Sequence, residues 1–329
     1  MSKKVNSGTI IIFTLLLTIS MAVVAIGLGS VKIPIPDILQ TIFGTSGKVE
    51  YNTIIFEIRL PRVLLAMIIG ANMAVSGAIL QAVVGNPLAD PGLTGVTSGA
   101  AAFVLIIMLV APQYSNFIPI SAFVGGILAA TVVFILAWNR NGISPITIIL
   151  AGVAVNALAG GVMGYLSVMF SDRLPATVQW MNGSLAAKGN NALSLIVPYA
   201  IIGWVISIFA IRKLNIIRMG EQVAANLGEN VNRNRILLSL LAVFLAAISV
   251  ATIGIVGFIG LIVPHMARLI VGSNYKYLLP MSMVLGALVL LVADTGGRTL
   301  FAPMEIPAGI LMAVVGGPYF LYLMKRRKF

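Results

Sequence analysis

Apolar runs about as long as a bilayer is thick recur along the whole chain, each closed by a short polar or Gly/Pro-containing break. Ten can be marked off, at residues 9–29, 63–84, 96–111, 117–138, 145–167, 192–211, 236–254, 256–270, 278–294 and 306–324. At 1.5 Å rise per residue, roughly 20 residues cross the hydrocarbon core as a helix. The third, eighth and ninth runs are short for that, and the break within ATIGIVGFIGLIVPHMAR admits more than one cut. The pattern predicts an all-α polytopic membrane protein of about ten transmembrane helices. They form one domain over residues 1–329. Lys3 and Lys4 ahead of the first run imitate a signal peptide. The stretch from Thr9 to Leu28 is, however, longer than the roughly 7–15 residues of a signal core, so a retained first helix is expected.

Composition agrees. The 329 residues are 59% hydrophobic and 9% charged, with a mean hydropathy of +1.06, whereas soluble domains carry about 25% charged residues. The net charge of +12 does not point to nucleic acid, because the basic residues sit between and after apolar runs. With ten spans both termini share one side. That side carries twice as many of the 21 lysines and arginines as the other, and fewer of the 9 acids, so N- and C-termini are predicted cytoplasmic. Cysteine is absent and His265 is the only histidine, which leaves no thiolate or histidine cluster for a metal. No catalytic residues, metal ligands or bound cofactors are expected, and no GxxxxGK[ST] loop occurs. If ATP drives this protein, another chain must hydrolyse it.

Several stretches carry more specific information. Arg59 and Arg62 bracket Pro61 before the second run. Arginine at mid-bilayer costs about 2.5–3.5 kcal/mol on the insertion scale, so both are expected at the outer surface, as interfacial anchors or as docking charges. GNPLADPG (85–92) reads as a cytoplasmic turn. In the fifth run Gly152, Asn156, Gly160 and Gly164 recur at spacing four, a stripe suited to close helix packing or to lining a path. Asp294 and Arg298, spaced i and i+4, are expected to pair, ahead of a proton-relay role for Asp294. The longest polar stretch, RMGEQVAANLGENVNRNR (218–235), places Met219, Val223, Ala224 and Leu227 on one helical face with Gly228 as a stop. It is too short to span. Its two readings are a helix lying on the bilayer and a knob for a cytoplasmic partner.

The motifs RLPR, SGAILQ, NPLADPGLTGVTSGA, GFIGLIVPHMAR, ADTGGR, EIPAGI and GGPYFLYLMKR, in this order over nearly the whole chain, resemble the FecCD-like permeases, the membrane subunits of ABC importers for ferric siderophores, haem and cobalamin. The resemblance implies a ten-helix permease working with a second permease subunit, identical or paralogous. Two cytoplasmic ATPase subunits would hold ATP and Mg, and an extracytoplasmic substrate-binding lipoprotein would deliver the cargo. It implies that loop 212–235 is the cytoplasmic coupling-helix loop, with Gly220, Glu221, Ala224, Leu227 and Gly228 at its heart. It assigns binding-protein docking to Arg59, Arg62 and Arg298. It places the gate at Ser144, Pro145, Ile146 and Thr147, with Gly152, Asn156 and Gly160 along the path. The expected cargo is an iron chelate, first a ferric siderophore, with haem or cobalamin as the alternatives. The rival from another class is an ion-coupled secondary transporter using Asp294.

Overall fold

The computed structural model describes residues 6–29, 31, 33–44, 49–139, 142–143 and 145–326. Among these the chain is helical, apart from a two-residue antiparallel pairing of β1 (Trp138–Asn139) with β2 (Gly142–Ile143). Fourteen α-helices follow one another: α1 Ser7–Gly27, α2 Ile35–Ile42, α3 Val49–Thr53, α4 Leu60–Val84, α5 Val96–Val110, α6 Ile118–Ala137 and α7 Pro145–Met169. Then come α8 Leu174–Met181, α9 Asn190–Arg218, α10 Glu221–Asn226, α11 Val231–Ile253, α12 Ile259–Val271, α13 Tyr275–Thr299 and α14 Ala308–Arg326. A π-helical turn, Ile54–Arg59, joins α3 to α4. Pro61 sits in the first turn of α4, where its missing N–H would have no helical partner.

Each of the ten apolar runs is helical, as α1, α4, α5, α6, α7, α9, α11, α12, α13 and α14. Among the described residues seven of these helical stretches are long and apolar enough to cross a membrane, and α5 and α12 are shorter. The ninth run, expected short, is a helix of 25 residues. Its polar ends are helical too: the Asn274 side chain accepts from Lys276 N at the start, and the last turn carries Asp294 to Arg298. The tenth run, 306–324, is the 19-residue helix α14, which starts just after Pro307. The uncertain break falls at Gly254–Phe258, where Gly254 (φ 88°) and Phe258 (φ 68°) leave the helical region. α9 continues through Arg212 and Lys213 to Arg218, so the polar connection is Met219–Asn230, shorter than the expected 212–235. Basic residues at a helix C-terminus complement its dipole, which lets the helix outlast its apolar run.

α4 is the central helix. It is buried over most of its length, Ile69 to Val84 without a break, and is accordingly apolar on every side. α9, α11, α12 and α13 pack around it, α1 packs on α13, and α5, α6 and α7 form a second group joined through α11. Lipid offers no hydrophobic drive for helix association, so close backbone approach and hydrogen bonds do that work. A Cβ added at Gly70 would lie 2.2 Å from the Gly286 carbonyl oxygen, and one at Gly77 would lie 2.0 Å from that of Gly260. These contacts seat α4 against α13 and α12. Ser76 Oγ adds a bond of 2.7 Å to the Ala242 carbonyl on α11. By contrast α1, α7 and α9 expose most of their apolar side chains, Phe13, Leu158 and Phe209 among them.

Candidate transport site and its two ends

α4 runs between two polar clusters, and the candidate residues sort by end. At the Arg59 end, α1 finishes with carbonyls that have no helical partner and that carry the negative pole of the helix. Two guanidiniums from other elements fill that need. Arg59 Nη1 donates to the carbonyls of Ile26 (2.7 Å) and Gly27 (3.3 Å), and its Nη2 to that of Val31. Arg298 donates to the carbonyls of Leu28 (2.8 Å) and Ala25. Arg62 grips Asp294 through Nε (3.0 and 3.2 Å) and Nη2 (3.0 Å), and its Nη1 donates to Glu305 Oε2 at 2.8 Å.

The expectation that Arg59 and Arg62 stand at the surface is corrected. Arg59 is 6% and Arg298 9% exposed, and the Arg62 side chain 13%. Burial of a guanidinium is tolerated here because carbonyls and carboxylates meet its donors. The expected Asp294–Arg298 pair is present at 3.8 Å, but the principal partner of Asp294 is Arg62, 232 positions earlier. No spacing rule along one helix could have found it.

On α7 the stripe of small residues divides. A Cβ at Gly152 would lie 2.2 Å from the Leu93 carbonyl oxygen, so this glycine is a packing position. Asn156 Nδ2 donates to the Gly92 carbonyl at 2.9 Å, and its Oδ1 accepts from the Ser98 hydroxyl. Asn156 thus ties α7 to the turn that starts α5. Gly160, Gly161 and Gly164 have no atom within 4 Å of an added Cβ and lie on the open face, which also carries Ile146, Leu150 and Leu158. Thr147 is half-buried at the start of α7. Ser144 and the side chain of Pro145 lie outside the described residues.

The turn that Asn156 holds is built around Asp90. Asp90 Oδ1 accepts from Gly92 N at 2.7 Å, and its carbonyl accepts from Thr94 N at 3.0 Å. The carboxyl is buried, and burial pushes its pKa up to about 6 against the opposition of the Gly92 and Leu93 backbone N–H groups.

At the opposite end from Arg59, α10 is bracketed by two glycines in conformations that L side chains rarely adopt, Gly220 (φ 104°) and Gly228 (φ 80°). The single apolar face expected of this segment is corrected. Ala224 is fully buried, packing the helix onto the bundle, while Met219, Val223 and Leu227 point outward and are 61%, 40% and 60% exposed. Consecutive residues differ by about 100° around a helix, so Val223 and Ala224 need not share a side. The Glu221 side chain lies outside the described residues. Glu229 accepts from Asn234 Nδ2 at 2.7 Å and so steadies the lead into α11. Around α10, Arg218 Nη1 donates to the Ser273 carbonyl (2.5 Å) and Arg268 Nη2 to Gln81 Oε1 (2.9 Å). Gln81 donates in turn to the carbonyls of Gly260 and Leu261, both at 3.3 Å. This network joins residues nearly 200 positions apart and gave no signal in the sequence. Its fixed point, the Gly77–Gly260 contact, was hinted at only by the abundance of small residues.

Comparison with known proteins agrees over the whole length. The FecCD transport family matches residues 15–326. The Fe(3+)-citrate import system permease protein YfmE of Bacillus subtilis (strain 168) is 39% identical over 96% of this chain and 94% of its own. The iron(3+)-hydroxamate import system permease protein FhuG of the same organism is 38% identical over 99% of both chains. The hemin transport system permease protein HmuU of Yersinia pestis is 37% identical over all of this chain and 98% of its own. A solved structure of an inward-facing metal-chelate type ABC transporter superposes with a TM-score of 0.86 at 30% identity, covering 97% of this chain and all of that one. With its apolar helices and central α4 bundle, this chain belongs to the FecCD transport family and is a multi-pass cytoplasmic-membrane permease of the ABC-importer type.

Proposed function

We propose that the chain forms half of the translocation path of an importer for an iron chelate, with a ferric siderophore as the first candidate and haem or cobalamin as the alternatives. All ten apolar helices span the membrane in this reading, with both termini and α10 in the cytoplasm. A second permease subunit, identical or paralogous, completes the path. Two cytoplasmic ATPase subunits supply ATP hydrolysis with Mg, and an extracytoplasmic lipoprotein delivers the chelate. Iron citrate, iron hydroxamate and hemin in the names of the relatives support this cargo class. The open face of α7, from Ile146 through Gly160 and starting at the Ser144–Thr147 segment, lines the path.

The observation that carries the coupling role is the outward trio Met219, Val223 and Leu227, set just before, on and just after a short helix that Gly220 and Gly228 bracket and Ala224 seats. Three exposed apolar side chains on and beside a six-residue helix suit a partner's cleft. Movement of that cleft on ATP binding is passed through Ala224 to α9 and α11. At the other end the Arg62–Glu305 pair offers docking charge to the lipoprotein, while Arg59 and Arg298 set the position of α1 behind it. Asp294 is committed to Arg62 by three hydrogen bonds, which disfavours an ion-coupled cycle through this carboxylate.

The test is co-expression of Val223→Asp with Leu227→Asp alongside the ATPase subunit, followed by co-purification and uptake of labelled ferric siderophore. Loss of both is expected. Intact assembly and uptake would refute the coupling role.

A further inference from the structure

At the α10 end a cavity of about 440 Å³ opens between α4, α9, α11, α12 and the start of α13. Arg218, Arg235 and Arg268 line it from three different helices, together with Gln81, Ser273 and Tyr275. No carboxylate stands among its described lining residues. Arg218 and Arg268 each spend a donor on a neutral oxygen, the Ser273 carbonyl and the Gln81 amide. Gln81 is itself anchored to two carbonyls of α12. Arg268 also lies beside the Tyr275 hydroxyl, with Arg218 close by. Both guanidiniums are therefore held in place by neutral groups, with their charge uncompensated by any described carboxylate.

Like charges gathered on a partly buried wall repel one another, and an anion among them relieves that repulsion. We propose that this cavity binds a phosphate-class oxyanion. A tetrahedral phosphate presents several acceptor oxygens at once and so engages two or three planar guanidinium forks, whereas one carboxylate fills only one. The source of the phosphate is either the headgroup of an anionic phospholipid or a free phosphate in solution. The site is built from this chain alone and goes beyond the coupling role, so its test needs no ATPase.

The full chain is placed in nanodiscs of phosphatidylcholine and titrated with inorganic phosphate against chloride at constant ionic strength. In a parallel arm the nanodiscs contain increasing phosphatidylglycerol. The unfolding temperature is read in both arms, since a ligand of the folded state raises it with concentration. A saturable rise in the first arm identifies free phosphate, and one in the second arm identifies the headgroup. In Arg218→Gln and Arg268→Gln the apparent affinity should fall roughly tenfold or more, because a charge-assisted hydrogen bond is lost. Arg218→Lys and Arg268→Lys keep the charge and lose the fork. They should bind at intermediate strength with an unchanged ligand-free unfolding temperature, which separates lost binding from a folding defect. No saturable rise in either arm, or an equal rise in wild type and both Gln variants, overturns the proposal.

Discussion

Asp294→Asn is a sharp test of the Arg59 end. The substitution keeps shape and removes one charge from a carboxylate that is 2% exposed. Wild-type Asp294 receives three hydrogen bonds from Arg62 at 3.0–3.2 Å and faces Arg298 Nε at 3.8 Å. Removing one partner of a buried pair costs about 3–5 kcal/mol when the other charge is left uncompensated. Here Glu305 still holds Arg62 at 2.8 Å and Arg298 keeps its α1 carbonyls. The expected loss is therefore at or below the lower end, about 2–3 kcal/mol. For a chain of this length that corresponds to a fall of roughly 3–5 °C in unfolding temperature. Thermal unfolding of the purified protein in detergent measures it. In the Asp294→Asn, Arg298→Gln double variant the loss should be smaller than the sum of the singles, because each single leaves a partner behind. An unfolding temperature within a degree of wild type, or strict additivity, would refute the claim that this cluster holds the helices together. Abolished uptake at unchanged stability would instead favour a coupling carboxylate.

Two further outcomes follow from other parts of the bundle. Gly77→Ala puts a methyl group 2.0 Å from the Gly260 carbonyl oxygen, and forced separation of α4 from α12 should cost about 1–3 kcal/mol. Gly160→Ala meets no atom within 4 Å and serves as the control whose unfolding temperature should not fall. The Asp90 carboxyl has a folded pKa of about 6 against an ordinary 3.8, so between those values the folded state holds the extra proton. Stability should therefore rise as pH falls from about 7 towards 4, by about 2–3 kcal/mol from this group, and should be flat above pH 7. Asp90→Asn should remove that slope in a pH series of melts; an unchanged slope would show that Asp90 is not its source.

Much of the architecture could be read from residue order alone. Every apolar run became a helix, because lipid leaves the backbone no other way to satisfy its own N–H and C=O groups. The segment around Glu221 was legible as a short helix through Gly220, Gly228 and its apolar spacing. Helix limits were less legible where polar residues continue a helix, as at Arg212–Arg218 and Asp294–Thr299. They were also less legible where a proline delays one, as at Pro307. Side-chain direction was the weakest point. Arg59 and Arg62 were expected at the surface, since a lone guanidinium is costly away from water, and no local pattern reveals that the end of α1 supplies carbonyls for Arg59 or that Asp294 takes Arg62.

What the sequence by itself determined is local: which stretches are apolar, helical or turning. The tertiary structure decided which of those residues meet. Arg62 finds Asp294, Arg268 finds Gln81, and Gly77 admits Gly260 across intervals of some 180 to 230 residues. The reason is physical. Helix formation depends on bonds within four residues, whereas ion pairs, orphan carbonyls and backbone-to-backbone contacts depend on how whole helices cross. The same crossing puts Ala224 inside and leaves Leu227, just past the end of α10, outside.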